Sequence, residues 1–194
     1  AACLRAEEEN YDGFLILHGT DTMAYSASAL SFFLPGFSKP AVITGSMLPI
    51  GEKGSDAEQN LIDGFTFLRS LSALRRRGIS VAFHGHLIHG PRSQKILSND
   101  STAFSSINYP ELGRIIDGEP VLGPRPFFRD TYPVDVSSLT LETSIFLVTL
   151  FPGFRSRYLD HIVEASPKAI VLEALGMGGV PYLGESLLPP IGKC

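Results

Sequence analysis

Short apolar runs alternate with longer stretches of helical pattern along the first half of this sequence. The apolar runs have the length of buried strands and occupy residues 13–17, 40–44 and 79–83. The helical patterns lie between them, at residues 23–34 and 55–77. This alternation of strand and helix predicts an α/β fold, with a mostly parallel sheet flanked by helices.

Each of the two helices is predicted to bury one apolar face. In the first, one stripe carries Met23, Ala27, Leu30 and Leu34, and Pro35-Gly36 ends the helix. In the second, one face carries Leu61, Phe65 and Leu68. Residues 55–58 have the sequence of a capping box, which places the start of the second helix there, and Gly78 is its expected C-cap.

The composition changes in the second half of the chain. Residues 117–140 contain Pro120, Gly123, Pro124, Pro126 and Pro133. A central sheet does not accept so many prolines, which indicates a linker or an edge segment. Beyond it, strands at 145–150 and 169–173 with a helix at 154–165 predict the start of a second, smaller α/β unit. The predicted organisation is an N-terminal α/β domain (1–116), a linker (117–140) and a partial C-terminal α/β domain (141–194).

Polar side chains collect where the first strand turns into the first helix. His18-Gly19 ends the apolar run, and Thr20-Asp21-Thr22 follows directly. A helix N-terminus offers unpaired N–H groups and a positive dipole end, which suit a carboxylate ligand or developing oxygen charge. The loop at 45–49 follows the next strand, and if the two strands are parallel neighbours it shares the same crevice. The alternative interpretation is that Thr20 or Asp21 merely caps the helix.

Composition and charge exclude several classes of function. The chain of 194 residues is 44% hydrophobic and 19% charged, which is typical of a globular protein with a buried core. Its formal net charge of −4 predicts no nucleic-acid partner, and no run of eighteen apolar residues predicts a membrane span. Cys3 and Cys194 stand at opposite ends and form no disulfide framework, which favours a reducing compartment.

Other chemical motifs are weak. The sequence has no G-x-S-x-G motif, and the glycines at 176–179 lack the spacing of a dinucleotide site. His84, His86 and His89 are close enough in sequence to suggest zinc ligation. On a strand, however, His89 points away from the other two, so we expect surface or hydrogen-bonding histidines and no metal.

Several segments together resemble successive signatures of the bacterial-type L-asparaginase family, in style closest to its cytoplasmic type I branch. They are residues 18–25, residues 45–49, Ser55-Asp56-Ala57 with Asn60-Leu61, residues 92–95, Asn108-Tyr109-Pro110, and Val171-Leu172-Glu173 through Pro181-Tyr182. The resemblance runs from about Tyr11 nearly to the end of the chain.

The resemblance implies hydrolysis of L-asparagine to L-aspartate and ammonia by a cytoplasmic homodimer or homotetramer that needs no cofactor. It implies a hydrogen-bonded catalytic triad of Thr20, Asp21 and Lys95. It also implies substrate binding by Gly19, Thr20, Asp21 and Ser46, with Asp21 receiving the α-amino group. L-glutamine is a possible second substrate.

The implied triad contains one electrostatic tension. A threonine hydroxyl reacts poorly until a neighbour accepts its proton, and an uncharged Lys95 is one candidate acceptor. Asp21 beside that lysine favours the charged ammonium instead. Either desolvation outweighs the pairing, or the lysine relays a proton without resting neutral.

The resemblance also implies a second, nucleophilic threonine in a Thr-Gly-Gly-Thr type motif near the N-terminus, and residues 1–10 contain none. We therefore expect an incomplete chain with little turnover of its own. One alternative is a catalytically inactive binding or interaction protein that keeps the fold. Another is a subunit of a glutamine-dependent tRNA amidotransferase.

Overall fold

In the computed structural model, which describes residues 1–124, 140–183 and 186–192, the apolar runs of the first half become strands of one sheet. Contacts between Cα atoms divide the chain into two units, Ala1–Leu139 and Thr140–Cys194. The strands of the first unit are β1 (Phe14–Leu17), β2 (Pro40–Thr44), β3 (Gly78–Phe83), β4 (His86–His89), β5 (Ser93–Lys95), β6 (Phe104–Ser106), β7 (Gly113–Ile116) and β8 (Glu119–Leu122). Its helices are α1 (Ala2–Ala6), α2 (Thr20–Phe33) and α3 (Ala57–Ala73).

The main sheet of the first unit has six strands in the order β1-β2-β3-β4-β7-β8. β1, β2 and β3 are parallel, as the alternation of strands and helices predicts, and the remaining three strands extend the sheet in antiparallel pairs. β5 and β6 form a separate antiparallel pair. Leu17 lies opposite Thr44, so β1 and β2 end at the same edge. The α/β prediction is confirmed.

The two long helices pack on opposite faces of this sheet. Alternate side chains of β2 point to opposite faces, so Ile43 joins the core beneath α2 and Val42 the core beneath α3. Met23 and Ala27 of α2 are fully buried, in agreement with the predicted stripe. Because both faces are covered, β2 is buried along its whole length.

The structure corrects the predicted features of α3. Phe65, assigned to the buried face, is 51% exposed, and the buried residues of this helix are instead Asn60, Asp63, Gly64, Phe67 and Leu71. The capping box does not form, because the N-cap is Asp56 and its side chain bonds elsewhere. Gly78 is not a C-cap, because the helix ends at Ala73 and Gly78 begins β3 with φ +106°.

The segment predicted as a linker or edge segment begins with a strand. β8 pairs with β7 and forms the last strand of the main sheet, with Pro120 opposite Ile115. The sheet of the first unit therefore continues beyond residue 116, and an edge strand accommodates a proline. Residues 125–139 of the same segment lie outside the described residues.

The second unit is built on a pair of parallel strands. They are β9 (Ile145–Thr149) and β10 (Ala169–Glu173), joined through α4 (Ser156–Glu164), and α5 (Leu188–Ile191) follows. Its core contains Val148, Leu150, Phe154, Leu159 and Leu187. No helix in the described parts of either unit has the length and apolar character needed to cross a membrane.

Candidate active site

The turn between β1 and α2 places two polar side chains in the first turn of the helix. Gly19 is the N-cap, with extended backbone, and Thr20 and Asp21 are the first two helical residues. Neither side chain caps the helix, since no side-chain hydrogen bond closes its N-terminus. The interpretation of Thr20 or Asp21 as a simple cap is therefore wrong, and both side chains are available for other contacts.

Lys95 reaches this turn because the segment before it packs tightly on α2. Gly90 begins a short 3₁₀ turn (Gly90–Arg92), and a Cβ at Gly90 would lie 3.1 Å from the Ala27 carbonyl oxygen and 2.9 Å from Ser31 Oγ. β5 follows directly and is held by β6, with Lys95 opposite Phe104. This close approach brings the end of β5 to the N-terminus of α2.

Lys95 Nζ contacts both polar side chains of the turn. It donates to Thr20 Oγ1 at 2.9 Å and to Asp21 Oδ1 at 2.6 Å. Residues more than seventy positions apart in the chain therefore form one hydrogen-bonded group. The structure thus brings together the three side chains that the family resemblance implies as a triad.

The two charged groups of this cluster differ in their exposure. The Lys95 side chain is 17% exposed, whereas that of Asp21 is 91% exposed. The hydrogen bond from Lys95 and its positive charge hold the pKa of the Asp21 carboxyl below its usual range. Asp21 thus presents an ionised carboxylate to solvent, and a free oxygen of that carboxylate can accept from an ammonium group.

A cavity of about 440 Å³ lies beside this turn. Gly19 and Ser46, both predicted to bind substrate, are part of its lining, and Gly19 is also the residue that precedes Thr20. Leu17, Ile50 and Leu61 supply apolar walls. The volume is in the range of small-molecule sites.

The loops after β1 and β2 approach so closely that only glycine fits between them. A Cβ on Gly45 would overlap the His18 carbonyl oxygen and lie 2.9 Å from Met23 Cε. The His18 N–H also donates to the Thr44 carbonyl oxygen at 2.9 Å. These contacts fix Gly19 and Ser46 on the same cavity.

Sequence reasoning missed two residues that anchor the loop after β2. The Asp56 carboxylate accepts from the Met47 and Leu48 N–H groups, and buried Asn60 donates to the Gly45 carbonyl oxygen at 3.0 Å. Both residues belong to a segment that carries the family resemblance, but sequence reasoning assigned Asn60 no role and interpreted Asp56 as part of a capping box. Asp56 and Asn60 are four residues apart, so they lie on the same side of the helix. This spacing of two polar residues is the signal in the sequence that could have indicated a shared contact.

Of the three clustered histidines, His84 and His86 contact each other, and His89 packs on Tyr109. His86 Nδ1 lies 3.0 Å from Glu111 Oε1, and His84 stacks on His86 with ring centroids 6.3 Å apart. Burial and the nearby Arg92 charge lower the pKa of His89 to about 4. Among the described side chains, no group of three or more His, Cys, Asp or Glu residues is arranged to hold a metal ion.

Comparison with known proteins shows what this chain is similar to. The family model described as "Asparaginase, N-terminal" matches residues 1–126. The L-asparaginase of Thermococcus kodakarensis is 38% identical over 185 residues, covering 95% of this chain and 54% of that protein. L-asparaginase 1 of Escherichia coli K12 is 33% identical over 178 residues, covering 92% and 52% respectively. A glutamyl-tRNA(Gln) amidotransferase subunit of Methanobrevibacter smithii is 32% identical over 191 residues, covering 94% and 42%.

The fold is similar to that of an L-asparaginase whose structure has been solved. The structure of the thermostable L-asparaginase from Thermococcus kodakarensis matches with a TM-score of 0.87 and 37% identity, covering 99% of this chain and 56% of that one. The chain thus spans about half the length of the L-asparaginases that it matches. The family model covers well over half of the chain, and the chain therefore belongs to the asparaginase family.

Proposed function

We propose that this chain contributes the Thr20, Asp21 and Lys95 group to the hydrolysis of L-asparagine to L-aspartate and ammonia. The observation that carries the proposal is the position of Lys95 Nζ, within hydrogen-bond distance of both Thr20 Oγ1 and Asp21 Oδ1. A hydroxyl and a carboxylate that both contact one ammonium group can serve amide hydrolysis through proton transfer and charge stabilisation.

Asp21 is suited to bind the α-ammonium group of the substrate. Its carboxylate is ionised, almost fully exposed and hydrogen-bonded to Lys95 through one oxygen, Oδ1. An α-ammonium on the other oxygen would place the amino acid at the mouth of the turn. The cavity lined by Gly19 and Ser46 lies beside this turn, and we propose it as the space for the side-chain amide.

Lys95 is suited to activate Thr20. Because the ammonium donates to Thr20 Oγ1, it stabilises negative charge that develops there when the hydroxyl proton leaves. The proton can leave to water, or to Lys95 after that lysine has passed a proton to solvent. In the overall reaction water adds its oxygen to the amide carbon, the C–N bond breaks, and the nitrogen leaves as ammonia.

This sequence contains no Thr-Gly-Gly-Thr type motif of the kind that, by the family resemblance, carries the nucleophilic threonine. We therefore propose that full activity requires a further threonine-bearing segment. Homo-oligomeric assembly and a cytoplasmic location also stay predictions, and light scattering of the purified chain measures the first of these.

Ammonia release tests the proposal. The assay compares the 194-residue chain with a version extended at its N-terminus by the corresponding segment of the Thermococcus kodakarensis relative. We expect the extended version to release ammonia from L-asparagine at least about a hundredfold faster than the chain alone. The segment expressed alone is the matched control. If the extended version is inactive although it folds, the alternative of a binding or interaction protein replaces the enzyme.

A second candidate substrate is L-glutamine. The similarity to an amidotransferase subunit named for glutamyl-tRNA(Gln) is the observation that favours it. The same assay with L-glutamine separates the two candidates. A value of kcat/KM higher for L-glutamine than for L-asparagine would favour the amidotransferase interpretation.

A further inference from the structure

The loop that follows β2 is held by a carboxylate at the start of α3. Both oxygens of Asp56 accept from the Met47 N–H, at 2.9 and 3.1 Å, and Oδ1 also accepts from the Leu48 N–H at 3.2 Å. Ser55 Oγ donates to the Leu48 carbonyl oxygen at 2.9 Å. Hydrogen bonds from main-chain N–H groups to a charged acceptor are stronger than those to a neutral one. The loop therefore has a fixed position relative to α3.

The orientation of this carboxylate is set in turn by Asn60, which is 2% exposed. Asn60 Nδ2 donates to Asp56 Oδ2 and to the Gly45 carbonyl oxygen, each at 3.0 Å. Its Oδ1 accepts from the His84 N–H at 2.9 Å, in the turn after β3. Asn60 thus links three separate segments at the cavity end of the sheet, using both of its N–H donors and its oxygen.

Ser46 lies between the two anchored groups, and it lines the cavity. Gly45 before it is held through its carbonyl oxygen and Met47 after it through its N–H. Within the described part of the chain, the backbone N–H, carbonyl and hydroxyl of Ser46 make no hydrogen bond. The anchors therefore leave a short stretch of polar groups unpaired at the cavity wall.

We propose that Asp56 and Asn60 are positioning residues that hold Ser46 for the side-chain amide of the substrate. The inference rests on the proposed function for the identity of the ligand, whereas the anchoring contacts are independent of it. An amide offers one acceptor and two donor hydrogens, and the unpaired N–H, carbonyl and hydroxyl of Ser46 complement both kinds of group. Neither positioning residue needs to touch the substrate.

Asp56→Asn disturbs either the contact with the loop or the contact with Asn60, while the size of the side chain at position 56 stays the same. If the new carbamoyl oxygen faces the loop, it is a neutral and therefore weaker acceptor for the Met47 and Leu48 N–H groups, and its NH2 group faces the NH2 group of Asn60, so that contact is lost. If the group is reversed, the Met47 and Leu48 N–H groups lose their acceptor. Glu58→Gln, an exposed substitution with the same charge change on the same helix, is the matched control.

Site-resolved amide hydrogen exchange by NMR tests the anchoring in the full 194-residue chain. In Asp56→Asn we expect the Met47 and Leu48 amides to exchange at least about tenfold faster, with β9 and β10 amides unchanged. A general loss of fold would accelerate exchange everywhere. Unchanged exchange at both loop amides in a folded Asp56→Asn protein would overturn the inference.

Titration with L-asparagine, followed on the Ser46 amide, tests the purpose of the anchoring. We expect a wild-type response that Glu58→Gln retains and Asp56→Asn weakens about tenfold. Equal affinity in Asp56→Asn and wild type, despite faster loop exchange, would overturn the positioning role alone. No wild-type response would overturn the proposed substrate, and with it the use of this loop, while the exchange result still reports on the anchors.

Discussion

At the scale of single residues, Lys95 lowers the pKa of the Asp21 carboxyl in the first turn of α2. The carboxylate that it contacts has a pKa below the usual 3.8, because the lysine donates to it and adds positive charge. A carboxyl group whose pKa is lowered by folding stabilises the folded state. This contribution to stability is present above pH 3.8 and is lost as the pH falls through the lowered pKa. An ammonium-bearing ligand should therefore find the site ionised at any pH near neutrality.

His89 makes the stability of the first unit depend on pH. Its pKa is lowered from 6.5 to about 4, because burial and the positive charge of Arg92 disfavour the imidazolium form. The unfolded chain binds the proton more readily, so the stabilising effect of the neutral ring is present above pH 6.5 and is lost as the pH falls toward 4. Tyr109 packs on both side chains and keeps them adjacent.

Thermal unfolding at several pH values measures this effect. Between pH 7 and pH 4, His89→Asn should lose roughly 1 kcal/mol less stability than the wild type, after allowance for solvent screening. His161→Asn, at a side chain that is 76% exposed, is the control and should follow the wild-type curve. If stability falls with pH by the same amount in His89→Asn and in the wild type, this histidine is not responsible for the pH dependence.

At the scale of elements, the close approach of the loops after β1 and β2 has a stability consequence. Gly45→Ala would place a methyl group against the His18 carbonyl oxygen, so one loop must move. We expect a loss of about 1–3 kcal/mol in the free energy of unfolding. Gly19→Ala is the matched control, because a Cβ there meets nothing within 4 Å and only the smaller cost of alanine at a helix N-cap, below about 1 kcal/mol, is expected. Equal denaturant midpoints for the two variants would argue against this packing.

The sequence pattern predicted strands better than it predicted helix faces. The apolar runs at 40–44 and 169–173 coincide with β2 and β10, because strands in parallel sheets consist of continuous apolar residues. The buried face of α3 was predicted wrongly because a hydropathy pattern assigns a polar residue such as Asn60 to the solvent-exposed face. In the structure its amide is buried and satisfied by hydrogen bonds, while Phe65 is half exposed.

The sequence pattern predicted some residues of the candidate site and not others. A strand followed by polar residues and a helix indicated Thr20 and Asp21 directly. Spacing gave no reason to bring Lys95 to them, since β5 reaches the turn only through the packing of Gly90 on α2. That residue entered through the family resemblance alone. Asp56 was assigned to a cap, because a capping pattern does not reveal a more distant partner.

At the scale of the whole molecule, the family match and the site belong to the first unit. The matched residues 1–126 contain Thr20, Asp21, Lys95 and the cavity, and the three side chains in contact all come from elements of that unit. The chain spans about half of the L-asparaginases that it resembles. Activity is therefore best measured with the N-terminally extended version, in which the proposed reacting groups are present together.

The most direct test of the proposed mechanism is the kcat/KM for L-asparagine of the extended version carrying Lys95→Met or Thr20→Ala. Each substitution removes one side of the 2.9 Å contact between Lys95 Nζ and Thr20 Oγ1, and we predict that each lowers kcat/KM at least about a thousandfold. Thr22→Ala, on the exposed side of the same helical turn, should leave it within about threefold of the wild type. Turnover close to wild type in either triad variant, with the fold intact, would contradict the central claim.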